Sequence, residues 1–581
     1  VPRIKLLFGI LALICTACST TPSKPTKDNT SAIVTQIANE FVDGYFTQYT
    51  EEVYEIGYPN APMDRFGHHD EQSITLWNAK VDRWLNTLNT IDIKTIENAE
   101  TALTYTFAKE KIQALVDHRV CKMELWNISP TWTGWQFRIS STLAVQPVKT
   151  AEERKIALAR VSDIARYLKT EIRNLRRGQQ QGYAAGQNNV IKVIDQVTSF
   201  INTPITELPF YAPATKSNDR LFTRTYEKIL RTEVRDAIIQ YRDYLANEYK
   251  GHSKPGVSAN PNGRACYDAS VKFHASISMS AEDIYHAGIT QMAAIQNEMR
   301  NIARSSFATD DVESLMTELR TNPAYTFKNE QDMLDYIAAA VERAKSVVGD
   351  WFGNVPNAEM IIVASPPYEK DSGGGFYSSG SADGERPGIY KVGTYKPTTI
   401  SKAGQESTAF HESYPGHHLQ FAVALTNQSA HPIFRYMYVG GSSEGWALYT
   451  EKLADEMGIY SDDLARLGML SNAALRAARL VVDPGMHIMG WTRQEAIQYM
   501  LDHTAESIGS ITNEVDRYAA VPGQATSYLI GSIEIQRLRQ HAEEVLGDSF
   551  DIREFHDQVL MNGAVTLPMI SAAVERWIRN K

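Results

Sequence analysis

Apolar residues recur at helical spacing through most of this chain. Residues 150–177 set Ala and Leu among Arg and Glu with a period near 3.6, which predicts an amphipathic helix. Residues 223–249, 280–303 and 329–348 repeat the pattern. Near residue 355 the texture changes. Residues 358–364 and 388–392 are short β-branched runs, and residues 372–388 between them are dense in Gly and Ser. This predicts a small sheet with a mobile loop. Further helices are expected from Ser443, Asp462, Thr492 and Gln524, and Thr492 with Glu495 has the spacing of a capping box. The expected fold is mainly α: two helical lobes around a cleft, with a small β-sheet beside the helix that carries the chemistry. The N-terminal lobe is placed at 31–355 and the C-terminal lobe at 356–581.

Composition changes this picture little. With 581 residues, 43% hydrophobic and 22% charged, the chain exceeds one simple core and is ordinary for a globular protein. Its formal net charge of -10 leaves no basic excess for phosphate contacts, which argues against nucleic acid as a partner. The first residues say more. Arg3 and Lys5 precede an apolar run from Leu6 to Ala17, shorter than the roughly 20 residues that span a bilayer. That is the pattern of a secretory signal. The stretch Ile14-Cys15-Thr16-Ala17-Cys18 resembles a bacterial lipobox, with Cys15 standing where Leu is usual. The expectation is therefore a signal peptide at 1–18, lipidation at Cys18 and a flexible tether at 19–30. The protein would then be a membrane-anchored lipoprotein of the cell envelope, on the extracytoplasmic (periplasmic) side. Cys121 and Cys266 remain as one pair, compatible with a disulfide or with two buried thiols.

The stretch His411-Glu412-Ser413-Tyr414-Pro415-Gly416-His417-His418 carries the densest chemistry. A hydrolytic zinc site needs imidazole or carboxylate ligands, an open position and a nearby base. In the HExxH arrangement two His four apart share a helix face beside the Glu that serves as base. Here the fourth position is Pro415, which cannot ligate and which disrupts a helix. The second ligand is then His417 or His418. On a regular helix His418 lies about 10 Å along the axis from His411. His417 is closer but points away unless the helix bulges at Pro-Gly. We favour His417, leaving His418 beside it or in contact with substrate. Glu444 follows His411 by 33 residues, enough for an antiparallel return, and is the expected third ligand. Glu451 lies two turns further on the same face.

The motifs HESYPGHH, EGWALYTE, VVDPGMHIMGWTRQEA and RYAAVPGQATSYLIG, in that order, resemble a large bacterial family long catalogued as a domain of unknown function. That family is regarded as gluzincin-like metallopeptidase, distantly similar to carboxypeptidase Taq and to oligopeptidases. Glu444-Gly445-Trp446-Ala447 also resembles the stretch of thermolysin-like aminopeptidases that supplies the third zinc ligand. The resemblance implies a mostly helical, clefted body with a small sheet beside the zinc. Val521 departs from it, standing where Trp is expected. Similar zinc peptidases place Tyr and His over the scissile bond, which makes His487, Tyr518 and Tyr528 candidates to stabilise an oxyanion. Arg517 reads as a surface salt-bridge residue or as a group that binds a substrate carboxylate. In gluzincins a strand placed like 388–392, which carries Tyr390, holds extended peptide by main-chain pairing, and the Gly-rich loop 372–381 would close over it.

The expectation is a zinc-dependent hydrolase of peptide bonds, holding one zinc ion on His411, His417 and Glu444, with Glu412 as general base. The rival readings are a zinc hydrolase of a cell-wall amide or ester and a non-catalytic binding lipoprotein.

Overall fold

The computed structural model describes residues 27–52, 58–365, 375–380, 386–427, 430–437 and 439–581. The lipobox-like stretch and Cys18 lie outside them. The long helices that the pattern predicts are present, and several of them start at a side-chain cap. Thr150 caps Ala151–Gln180 and closes a capping box with Glu153, Ser280 caps Ala281–Phe307, and Asn329 caps Glu330–Trp351. Thr492 and Glu495 form the predicted box ahead of Arg493–His503. Each such cap contributes about 1 kcal/mol by satisfying backbone N–H groups that the first turn leaves free. The 223–249 stretch is interrupted: Arg220–Ile229 passes through a π-helical turn, Leu230–Val234, into Arg235–Asn247.

Two expectations need correcting. The tether does not reach residue 30, because the helix Lys27–Gln48 starts at Lys27. Val34, Ile37, Ala38 and Phe41 form a buried stripe at helical spacing, and docking that stripe orders the turn before it. The Gly- and Ser-rich stretch is in part a strand. Strands β1 (Met360–Ala364), β2 (Gly375–Ser378) and β3 (Gly388–Val392) make one sheet in the order β1-β3-β2. β1 pairs with β3 in parallel, with Ile362 opposite Tyr390, and β2 pairs with β3 antiparallel, with Tyr377 opposite Tyr390. β3 is therefore the central strand. Both of its edges are paired, and it offers no free edge to a peptide.

The cores do not divide at residue 355. One buried cluster unites residues from Val34 to Ile112 with residues from Phe327 to Ile578. A second joins Cys121 and Ala281–Ala303 residues to the helices that follow Leu448. Only the third, from Phe66 to Tyr249, lies within the N-terminal half. The most extensive helix pairs are Ala281–Phe307 with Asp463–His487 and Gly440–Glu456 with Ser527–Leu546. The second pair crosses at glycines: a Cβ on Gly445 would stand 2.5 Å from the Gly531 Cα. That contact fixes Glu444 and Tyr528, each within one helical turn of it. Cys121 and Cys266 are joined as a disulfide across 145 residues. Among the described residues, no helix is long and apolar enough to cross a membrane.

Candidate metal centre

Proline chemistry decides the local path of the chain. The helix Gln405–Glu412 ends at Glu412, and a new helix, His417–Thr426, begins at His417. The four residues between them form a tight turn with a cis Tyr414–Pro415 bond. The expected bulged single helix is thus two helices. The Gly416 N–H donates to the Phe410 carbonyl at 3.0 Å, and a Cβ on Gly416 would lie 1.9 Å from the His411 carbonyl oxygen, so only glycine fits. The Trp446 indole donates to the Pro415 carbonyl at 3.1 Å, which ties this turn to the helix Gly440–Glu456.

These contacts bring His411, His417 and Glu444 together. One atom from each lies within 4.8 Å of the others, the only such group among the described residues. A single Glu444 oxygen, Oε2, stands 3.4 Å from His411 Nε2 and 3.5 Å from His417 Nε2. These separations are long for hydrogen bonds. They match the edges of a tetrahedron around an ion with bonds of about 2.0–2.1 Å, which are roughly 3.4 Å. Two imidazoles and one carboxylate, without thiolate, suit zinc. The donors therefore fit that ion.

The surroundings orient the donors. His411 Nδ1 lies 2.8 Å from Glu451 Oε1, the carboxylate that fixes its ring and leaves Nε2 for the cluster. Ser407 donates to the other Glu451 oxygen, and the Arg476 guanidinium stands 3.8 Å away. Burial opposes a charge on His411, yet its contacts with Glu444 and Glu451 outweigh burial and raise its pKa to about 10. Burial likewise opposes ionisation of Glu444, and the two imidazoles hold its carboxyl well below the usual range. Glu412 differs. Burial pushes its carboxyl up, against His411 and His417, which pull it down, and it accepts the backbone N–H of Tyr377 on β2.

The family described as "Bacterial protein of unknown function (DUF885)" matches residues 47–574. The chain belongs to this family. No curated protein matches the sequence. A crystal structure of a protein from Colwellia psychrerythraea, provisionally described as a lipoprotein, has a TM-score of 0.87 at 24% identity, covering 96% of this chain and 100% of that one. A protein from Shewanella oneidensis, provisionally described as a lipoprotein of unknown function, has a TM-score of 0.74 at 17% identity, covering 93% and 99%. Both likenesses establish the fold.

Within this DUF885 chain the remaining candidates separate sharply. His418 is 1% exposed. Its Nε2 faces the Ala358 carbonyl at 3.2 Å, which can only accept, so that nitrogen carries the proton and Nδ1 accepts from the Tyr377 hydroxyl at 2.9 Å. Both nitrogens are engaged, and His418 is neither the alternative ligand nor a substrate contact. His487 is corrected as well. Its Nδ1 accepts the Val257 N–H at 2.9 Å and its Nε2 donates to the Tyr518 carbonyl at 3.0 Å, which leaves nothing for an oxyanion. Tyr390 is 1% exposed and packs in the core, so it does not touch substrate. Tyr518 is fully buried, and its hydroxyl donates to Glu514 at 2.7 Å. Arg517 is a buried ion-pair residue, not a surface one: it holds Glu514 at 2.9 Å and contacts Gln524.

Tyr528 remains. It is half-buried, burial and Glu444 both raise its pKa, and no hydrogen bond within the described residues engages its hydroxyl. Sequence reasoning missed Tyr377, Arg479 and Glu514. Tyr377 sits in a stretch whose Gly and Ser content hid a strand. Arg479 and Glu514 look like ordinary helical charges until the two helices meet.

Proposed function

We propose that this protein is a zinc-dependent hydrolase of peptide bonds. The observation that carries the reading is the convergence of His411, His417 and Glu444 at tetrahedral spacing, with the buried carboxyl of Glu412 adjoining them. A zinc ion on these three donors would supply a Lewis acid for the scissile carbonyl and for an attacking water. Glu412 accepts a proton from water as its oxygen bonds to the carbonyl carbon. The same carboxyl then delivers that proton to the leaving nitrogen as the C–N bond breaks. Burial raises the Glu412 carboxyl above the ordinary range, which eases its return of the proton to the leaving nitrogen. The Tyr377 N–H holds the carboxyl in place. Tyr528, with its free hydroxyl beside Glu444, donates to the carbonyl oxygen as charge develops there.

The reading extends to location. The Ile14–Cys18 stretch supports lipidation at Cys18 and anchoring at the extracytoplasmic face, and the disulfide suits that oxidising compartment. Two proteins of the same fold carry a lipoprotein description. Cys18→Ser is expected to move the protein from the membrane to the soluble fraction.

A mixed-peptide digest by zinc-loaded protein, read by mass spectrometry, tests the chemistry. Cleavage that Glu412→Gln abolishes supports the proposal. Zinc-dependent cleavage of esters or cell-wall amides but not of peptides would replace its substrate, and no hydrolysis of any of them would leave a binding protein.

A further inference from the structure

Beside Tyr528 lies a second charged cluster that the proposed chemistry does not use. Arg479, 8% exposed, points from the helix Asp463–His487 towards Ile508–Ala520. Its Nε donates to the Tyr518 hydroxyl at 3.0 Å and its Nη2 to Glu514 at 2.8 Å. Its Nη1 is buried and has no hydrogen-bond partner among the described residues. Arg517 binds the same Glu514 through Nε at 3.1 Å and Nη2 at 2.9 Å. Two guanidiniums thus share one carboxylate. The next carboxyl, Asp483, is engaged by the Tyr267 hydroxyl at 2.9 Å and the Gly523 N–H at 3.1 Å, and burial pushes it up to about 7. It offsets only part of the excess cation. A buried guanidinium N–H left unpaired costs free energy that an incoming anion recovers.

The cluster adjoins the metal centre through one residue. The Arg479 guanidinium lies 4.9 Å from the centre of the half-buried Tyr528 ring, and the Tyr528 hydroxyl interacts with Glu444 as well as with Arg479 and Arg517. We infer that Arg479, supported by Arg517, forms a subsite for a substrate carboxylate beside the metal centre. The inference rests on the hydrolase reading for the position of the scissile bond: a peptide whose carbonyl faces Glu412 and Tyr528 brings a neighbouring carboxylate to the unpaired guanidinium N–H. A free C-terminal carboxylate and an acidic side chain share that chemistry.

One mixed-sequence peptide library, synthesised as free C-terminal acids and as C-terminal amides, each with and without Asp and Glu, tests the inference. Zinc-loaded wild type is expected to favour the acids over the amides roughly 10- to 100-fold in kcat/KM, mostly through KM, the scale of one charge-assisted hydrogen bond. A preference that survives amidation but vanishes without Asp and Glu assigns the subsite to an acidic side chain. Arg479→Gln should erase the preference at unchanged zinc content, and Arg479→Lys should restore part of it. Equal cleavage of acids and amides, with and without acidic residues, overturns the subsite and leaves the hydrolase reading standing. It needs no variant, so a misfolded Arg479→Gln does not obscure it. Absence of all hydrolysis sinks the hydrolase reading instead, and the subsite is then read by retention of the same libraries on zinc-loaded Glu412→Gln. Selective retention of carboxylate-bearing peptides supports it, and indifferent retention overturns it.

Discussion

Two regions of this protein carry histidines beside carboxylates and glycine turns, and they do opposite things. In the stretch around His411, a turn between two short helices leaves two ring nitrogens and a carboxylate oxygen facing one another at 3.4 and 3.5 Å. In the stretch around His487, the imidazole is closed on both sides by the Val257 N–H and the Tyr518 carbonyl, and Asp483 of the same helix holds Tyr267 and Gly523. The two regions are similar in residue type and in burial. They differ in what the imidazoles have left over: the first pair aims ring nitrogens at a shared carboxylate oxygen, and the His487 ring has spent both of its nitrogens on the backbone. A polar motif supports chemistry only where its hydrogen-bonding capacity is not already consumed.

Substitutions sharpen that contrast. Glu412→Gln should lower kcat on a peptide substrate by about 10²–10⁴-fold with zinc stoichiometry intact, as removal of a general base does. Hydrolysis at the wild-type rate would remove Glu412 from the mechanism. Tyr528→Phe is expected to cost about 10²-fold in kcat with little change in KM, the size of one lost oxyanion donor, and steady-state kinetics separate the two. On the closed side, His487→Ala should lower unfolding stability by about 2–4 kcal/mol, from two lost hydrogen bonds and a cavity, and leave zinc binding unchanged. Denaturant melts with zinc titration check both, and lost zinc with unchanged stability would reverse the two assignments.

Acid sensitivity gives a smaller and more diffuse effect. Burial pushes His118 and His487 down to about 4, and His274 and His556 to about 3, from 6.5. A folded pKa below the unfolded one means that the unfolded chain takes up protons that the native state refuses. Stability is then intact above about 6.5 and falls as the pH drops towards 4. Asp483 and Glu171, both pushed up to about 7 by burial, act the other way, since they gain protons more readily when folded. His418 is pushed down to about 4 as well, so five imidazoles oppose the two carboxyls that burial raises as far as about 7, and the melting temperature should decline from pH 6.5 downwards. A flat profile across that range would show that these rings are hydrated in solution.

Much of the fold was legible because it depends on local rules. Apolar spacing and caps marked the long helices, and the box at Thr492 appears as read. The cluster was legible in part: His411, Glu444 and Glu451 stand as their spacing implied. What was not legible depends on pairing between distant segments. Nothing local distinguishes β3 as a central strand, because its edges are occupied by residues 360–364 and 375–378. Pro415-Gly416 breaks the helix and so favours His417 over His418, and His417 joins the cluster, but periodicity does not encode the form of that break, a turn of four residues between two helices. His487 looked reactive because its partners are backbone groups from residues 257 and 518, which no motif displays. The interleaving of the N-terminal helices with the C-terminal core also follows from tertiary packing alone.

The central claim is that His411, His417 and Glu444 form one metal site from which His418 is excluded. Calorimetric zinc titration of the wild type, His417→Ala and His418→Ala tests it most directly. The account predicts one tight equivalent in the wild type, its loss in His417→Ala and its retention in His418→Ala. A tight equivalent that survives His417→Ala, or none in the wild type, would contradict it.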